Sequence, residues 1–236
     1  MPLASEVSFI TALWGGFYSF FTVAQLCLMQ ISPFFLAFFL GLHLSNFKEI
    51  FPKRILAVLP LSVGYIIAFS ILFGSLGIRG IGFARHIKYN MATFRLTSAV
   101  IIVIIALFII VIAKLEIERY VRILFFPVGI LLGASFAIAY APCITPTMSD
   151  IMNFGSSPET SLKGMALLTV YAVGLSLSFI AVGSVLSLAI STIVREKNNR
   201  GLVVILSMIF LLILPALLLS GYMIDYKTYL VGLLVD

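Results

Sequence analysis

Gly133-Ala-Ser-Phe-Ala-Ile-Ala-Tyr-Ala-Pro142-Cys143-Ile144-Thr145-Pro146 stands inside one long apolar run, residues 123–154. That run exceeds the roughly 20 residues one helix needs to cross a bilayer. Proline removes a backbone donor and clashes with the preceding turn. The stretch therefore predicts a membrane helix that breaks around Pro142 and Pro146, with Cys143 in the break. The freed backbone groups then have to face protein or a wet cavity, because lipid offers them no partner.

A related arrangement occurs earlier. Cys27 lies in the apolar run 8–46, followed by Pro33, and the chain has no third cysteine. The two cysteines are 116 residues apart, close to half of 236. The remaining apolar runs are 54–77, 96–113, 161–193 and 201–222. The second and fifth runs carry small residues at spacings of three or four: Gly64, Ala68, Ser70 and Gly74 in one, Gly174, Ser178, Ala181, Gly183 and Ser187 in the other. Small residues let helix backbones approach closely in lipid. The third and sixth runs are greasy throughout and read as lipid-facing staves.

The order broken-with-cysteine, small-residue, greasy thus occurs twice. An odd number of crossings per copy inserts the second copy upside down, which is a transporter-type architecture. The expected fold is all-α: a polytopic membrane protein of six transmembrane helices, arranged as two inverted three-helix repeats. Residues 1–118 and 119–236 form the copies, and helices 1 and 4 break at proline. All 236 residues belong to one transmembrane domain.

Composition supports the membrane reading. The chain is 62% hydrophobic and 10% charged, with a mean hydropathy of +1.20. A soluble domain is about half apolar and a quarter charged. Continuous rather than alternating apolar runs exclude a closed β-barrel. The start lacks a basic region, so the first run is expected to be a retained helix and not a cleaved signal. The net charge of +6 is no nucleic-acid footprint, since the bases sit in short loops. Lys48, Lys53, Arg54, Lys114, Arg119, Arg122, Arg195, Lys197 and Arg200 fall on one side; Arg79, Arg85, Lys88, Arg95, Lys163 and Lys227 fall on the other. Nine against six places both termini outside the cytoplasm of a cytoplasmic (inner) membrane. The stretch 78–95 reads as a solvated basic loop, with an interfacial helix as the rarer case.

Intramembrane cysteines are often small buried hydrophobes. Their placement beside prolines favours chemistry. The thiolate is the nucleophile in thiol–disulfide exchange, and a helix N-terminus lowers a thiol pKa. Pro142 can open a helix and Pro146 suits its first turn, so Cys143 fits that position. Gln25 and Gln30 would be costly facing lipid and point to a cavity or another helix. Thr145 and Thr147 can back-bond to carbonyls freed by the prolines. Two cysteines on opposing broken helices can form one disulfide, whose reduction from one face and reoxidation from the other carries two electrons and two protons. No metal, haem or flavin is needed. His43 reads as interfacial. Asp150 reads as a helix-end or loop carboxylate, with an intramembrane proton site as the alternative. His43 and His86 lack a nucleophile context, so Ser-His-Asp catalysis has no support.

The second motif, Gly133 to Pro146, resembles that of the CcdA family, compact relatives of the DsbD transmembrane domain. In the first motif, Cys27 and Pro33 match, while Leu26 and Gln30 stand where the family has proline. The resemblance covers nearly the whole chain in helix count and cysteine placement. It implies a thiol-disulfide oxidoreductase-type membrane carrier. Such a carrier moves reducing equivalents from cytoplasmic thioredoxin to extracytoplasmic thioredoxin-like proteins in support of cytochrome c maturation. Cys27 and Cys143 carry over as the redox pair, and Pro33, Pro142 and Pro146 as the helix breaks that make the first and fourth segments mobile. The competing class is a small-solute or metal-ion exporter, which inverted triplets suit equally well. It normally needs midplane polar or acidic residues, and this chain offers few besides Asp150.

Overall fold

The structure is a computed structural model. It describes residues 8–21, 33–40, 51–78, 82–115, 118–139, 146–193 and 197–222, with the short pieces 225–226, 228–229 and 232. All regular structure among these residues is α-helical. The helices are α1 (Phe9–Ser19), α2 (33–40), α3 (Phe51–Gly77), α4 (Gly82–Tyr89), α5 (Met91–Leu115), α6 (Glu118–Ala139), α7 (Pro146–Phe154), α8 (Ser161–Ile193) and α9 (Lys197–Ser220). Four stretches are long and apolar enough to cross a membrane: Val58–Gly77, Met91–Val111, Ser161–Ser187 and Leu202–Ser220. A shorter apolar stretch, Phe125–Ile138, lies in α6. The chain is therefore a multi-pass, lipid-embedded helical protein.

Local chemistry explains the helix ends. Ser8 caps α1, its hydroxyl accepting the Thr11 N–H at 3.2 Å, which satisfies one of the orphan donors of a first turn. Pro146 is the first residue of α7, where its missing N–H costs nothing. Between α7 and α8 the Thr160 hydroxyl donates to the Phe154 carbonyl, and that of Ser161 to the Pro158 carbonyl at 3.0 Å. Pro60, Pro127 and Pro215 lie inside helices that continue through them.

The stretch 78–95 is not the solvated loop expected of it. Its middle forms α4, and α5 already begins at Met91. Ile87 is buried against Leu76 and Ile138, while Arg85, His86 and Tyr89 are exposed. That one-sided pattern holds a short helix against the bundle end despite the charges around it. Asn90 joins α4 to α5, its amide donating to the His86 carbonyl at 3.1 Å.

The core is organised by close helix crossings. A Cβ built on Gly16 of α1 would strike the Tyr171 carbonyl of α8, and one on Gly174 of α8 would strike the Leu13 carbonyl of α1. The same reciprocity holds between Gly64 of α3 and the Phe126 carbonyl of α6, and between Gly129 of α6 and the Leu61 carbonyl of α3. In each case the glycine lies over the carbonyl three residues ahead of its partner glycine. Backbone contact this close is open only to residues without a side chain. Register gives the directions. On α3 and α6, Leu61 meets Gly129 and Tyr65 meets Gly133, so the helices run parallel. On α1 and α8, Leu13 meets Gly174 and Phe17 accepts from Ser178, so these too are parallel. Gly74 meets Thr169 while Gly77 meets Leu168, so α3 and α8 run antiparallel.

α5 and α9 pack on each other, and α5 also packs on α6. Each buries one stripe (Ala99, Ile102, Ala106 and Ile109; Val204, Met208, Leu211 and Leu214) and exposes another (Leu96, Val100, Ile104 and Leu107; Leu202, Leu206, Ile209 and Ile213). The stave reading therefore applies to one face of each helix only.

Candidate functional site

Cys27, Cys143, Pro142, Gln30 and Thr145 lie outside the described residues, as do Gln25 and His43. What the structure gives is the set of elements that follow each cysteine in the chain. Pro33, six residues after Cys27, opens the described part of α2 and is half-buried. Pro146, three residues after Cys143, opens α7 and is exposed.

α2 is anchored by aromatic rings. Phe34, Phe35, Phe38 and Phe39 are all fully buried. The Phe35 ring lies 4.8 Å from Tyr65, 5.1 Å from Phe179 and 5.8 Å from Phe136, centre to centre. One side chain of α2 therefore touches α3, α8 and α6. Phe34 stacks on Phe210 of α9 at 5.2 Å. Offset and edge-on ring contacts at these separations are favourable beyond their area burial.

From Tyr65 the rings continue down α3. Tyr65, Phe69 and Phe73 are spaced four residues apart and stack at 5.4 Å per step. Phe73 meets Tyr171 of α8 at 6.5 Å. The column ends at α1, where the Tyr171 hydroxyl lies 2.6 Å from the Ser19 hydroxyl. Ser19 spends its own proton on the Gly15 carbonyl at 2.5 Å, so the Tyr171 hydroxyl donates and Ser19 accepts. A second tie across the same pair is Ser178, whose hydroxyl donates to the Phe17 carbonyl at 2.8 Å.

α7 is held differently. Met148 and Ile151 are fully buried, α7 packs on α8 and α1, and Thr147 lies against Gly15 of α1. Asp150 projects from the exposed side of α7. It lies in the middle of α7, rather than at a helix end or in a loop as expected. The hydroxyls of Ser70 on α3 and Ser135 on α6 are buried and have no hydrogen-bond partner among the described residues.

Sequence reasoning singled out the small residues of α3 and α8. It passed over Gly16 and Gly129, which complete the two crossings from α1 and α6. The signal was available as glycines in the cysteine-bearing segments, but one sequence does not say which helix faces which.

The CcdA protein of Halalkalibacterium halodurans, a cytochrome c-type biogenesis protein, is 27% identical over 235 residues, which is 95% of this chain and 96% of that protein. Over nearly its whole length the chain is similar to a protein of the CcdA name. A putative cytochrome c-type biogenesis protein of Haemophilus influenzae is 24% identical over 124 residues, covering 49% of this chain and 57% of that protein. No family model matches the chain, and no solved structure matches it. The similarity to the CcdA protein covers 95% of the chain, so both cysteines fall within the aligned length.

Proposed function

We propose that this protein is a membrane carrier of reducing equivalents that works by thiol–disulfide exchange between Cys27 and Cys143 and serves cytochrome c maturation. The observation that carries the reading is the similarity over 95% of the chain to a cytochrome c-type biogenesis protein, joined to a sequence whose two cysteines are each followed within six residues by a proline, of which Pro146 begins a helix.

The step balances as follows. A thiolate of a cytoplasmic thioredoxin-type dithiol attacks one sulfur of the Cys27–Cys143 disulfide, forming a mixed disulfide and releasing the other cysteine as a thiolate. The donor's second thiol then attacks the mixed disulfide. The donor leaves oxidised, and both cysteines of the carrier are reduced. On the far side, one of these thiols attacks the disulfide of an extracytoplasmic thioredoxin-like acceptor, and the second resolves it. The net transfer is two electrons and two protons, with no cofactor.

A thioredoxin fold cannot enter a bilayer about 30 Å thick, so the cysteine-bearing segments have to become reachable from each face in turn. Pro33, Pro142 and Pro146 are assigned as the breaks that allow this. The buried anchors of α2 and α7 make the rest of the bundle the fixed frame. The two halves, 1–118 and 119–236, are read as inverted copies of three crossings each, with both termini outside the cytoplasm. The paired glycine crossings, α1 with α8 and α3 with α6, support that reading. So do their parallel directions against the antiparallel α3–α8 contact.

Trapping tests the proposal. Cys27→Ala and Cys143→Ala variants are expected to form mixed disulfides with thioredoxin-type proteins on both faces, and the double Cys→Ser variant to stop reductant transfer. Trapping on one face only would reject the two-sided relay. Full function with both cysteines replaced would return the molecule to the exporter class.

A further inference from the structure

The crossing stretch of α3 ends at Gly77, and that of α5 begins at Met91. The short link between them keeps α4 at the end of the bundle, where headgroups replace acyl chains. The orientation of α4 is fixed by Ile87, 1% exposed and packed with Leu76 and Ile138, with Phe94 alongside. The opposite face presents Arg85 and Tyr89, the latter 84% exposed, while His86, also exposed, stands to one side with its ring edge-on to Phe94 at 6.5 Å. One turn into α5, Arg95 is exposed as well. Directly after it begins the outward row Leu96, Val100, Ile104 and Leu107. Arg95 thus marks the line where an apolar outer surface gives way to a cationic one.

No Asp or Glu occurs between Glu49 and Glu116, so neither α4 nor α5 has a carboxylate to neutralise these charges. Among the described residues, Asp150 and Glu159 lie on α7 and its link to α8, and Asp225 follows α9, so these acids stand on other elements. Lys163 adds a further cation there, over the Phe154 ring at 5.6 Å.

We propose that the outer face of α4, together with Arg95, binds the anionic headgroups of phospholipids and seats this end of the bundle in the membrane interface. Cations at the membrane surface attract anionic lipid, and an exposed tyrosine suits the headgroup level. The aliphatic row that continues from Arg95 favours lipid over an acidic protein partner, because acyl chains would cover that row while a soluble partner would not. The inference is independent of the thiol chemistry.

Trp14 is the single tryptophan, so the variant Trp14→Phe, Tyr89→Trp carries one fluorescent reporter on α4. The whole protein, its helicity checked by circular dichroism, is placed in vesicles of phosphatidylcholine and phosphatidylglycerol with one lipid brominated at a time. Brominated phosphatidylglycerol is expected to quench the reporter several-fold more than brominated phosphatidylcholine at equal mole fraction. An upper scale is about fivefold per arginine, from about 1 kcal/mol for each basic residue near the surface. The excess is expected to fall towards parity in Arg85→Gln, Arg95→Gln, and in about 0.5 M salt, where surface charge is screened. Equal quenching by the two lipids overturns the proposal, as does an excess that survives both arginine substitutions. Equal quenching together with crosslinking of position 89 to an acidic soluble protein gives the face to that partner instead.

Discussion

Adding one methyl group at Gly16 drives a carbon into the Tyr171 carbonyl oxygen, and at Gly129 into that of Leu61. Backbone cannot swing aside as a side chain does, so α1 and α8, or α3 and α6, have to separate. Overpacking of this kind costs about 1–3 kcal/mol. Gly16→Ala and Gly129→Ala are each expected to lower the thermal midpoint in detergent, while Gly232→Ala, with nothing within 4 Å, leaves it unchanged. Hydroxyls divide in the same way. Ser178→Ala removes a bond between helices and is expected to cost about 0.6 kcal/mol, at most about 1.7. Ser70→Ala and Ser135→Ala remove buried hydroxyls that have no partner among the described residues. Stability is expected to stay level or rise by up to about 1 kcal/mol, since a buried unmade hydrogen bond is itself a cost. Unfolding midpoints of the three serine variants check the contrast. None of this distinction was legible in the sequence, where Ser70 and Ser178 look alike: both stand in small-residue stripes, and only the neighbouring helix decides which finds a carbonyl.

At the level of elements, α4 offers the sharpest case. Among the described residues of α4, Ile87 alone belongs to the small cluster with Leu76 and Ile138, and it lies outside the crossing stretches. Ile87→Ser is therefore expected to release α4 and leave the bundle intact. Amide hydrogen exchange over residues 82–90 should rise at least tenfold, equivalent to about 1.4 kcal/mol of local stability, with the global midpoint nearly unmoved. A large drop in the midpoint would show that α4 is part of the core instead. The long apolar helices were readable because lipid imposes continuous hydrophobicity on them, and the run 161–193 coincides with α8. α4 was not, because eight residues flanked by glycine and cations carry too short a period to outweigh a loop composition. The helix after the break in the run 123–154 was readable from Pro146, which suits a first turn and begins α7. Of the candidate site the sequence offered residue types, the two cysteines and their prolines, of which only Pro33 and Pro146 are among the described residues. Its surroundings were not legible, since the ring column from Phe35 through Tyr65, Phe69 and Phe73 to Tyr171 joins residues up to 136 positions apart.

For the whole molecule, the question is whether the two glycine crossings are separate units or one. Gly64 and Gly129 occupy one crossing; Gly16 and Gly174 occupy the other, with no contact partner in common. A methyl at Gly129 already parts α3 from α6, so a second at Gly64 enters a gap that has opened. The double variant Gly64→Ala, Gly129→Ala is expected to cost less than the sum of its parts by about 0.5–3 kcal/mol, as contacting sites do. Gly16→Ala with Gly129→Ala acts on different helix pairs, and its cost is expected to add to within about 0.3–0.5 kcal/mol. Under the proposal of two inverted copies, the single variants Gly16→Ala and Gly129→Ala also occupy equivalent places and should cost similar amounts. The α1–α8 pair then differs only by its hydrogen bonds from Ser178 and Tyr171. Full unfolding curves of the four single and two double variants decide among these outcomes. Marked non-additivity between Gly16 and Gly129 would mean that strain passes through the antiparallel α3–α8 contact. The bundle would then shift as one body, and opening towards one face would close the other by geometry alone. Additivity would leave each helix pair, α1 with α8 and α3 with α6, free to move by itself, and alternating access would then have to come from the cysteine-bearing segments.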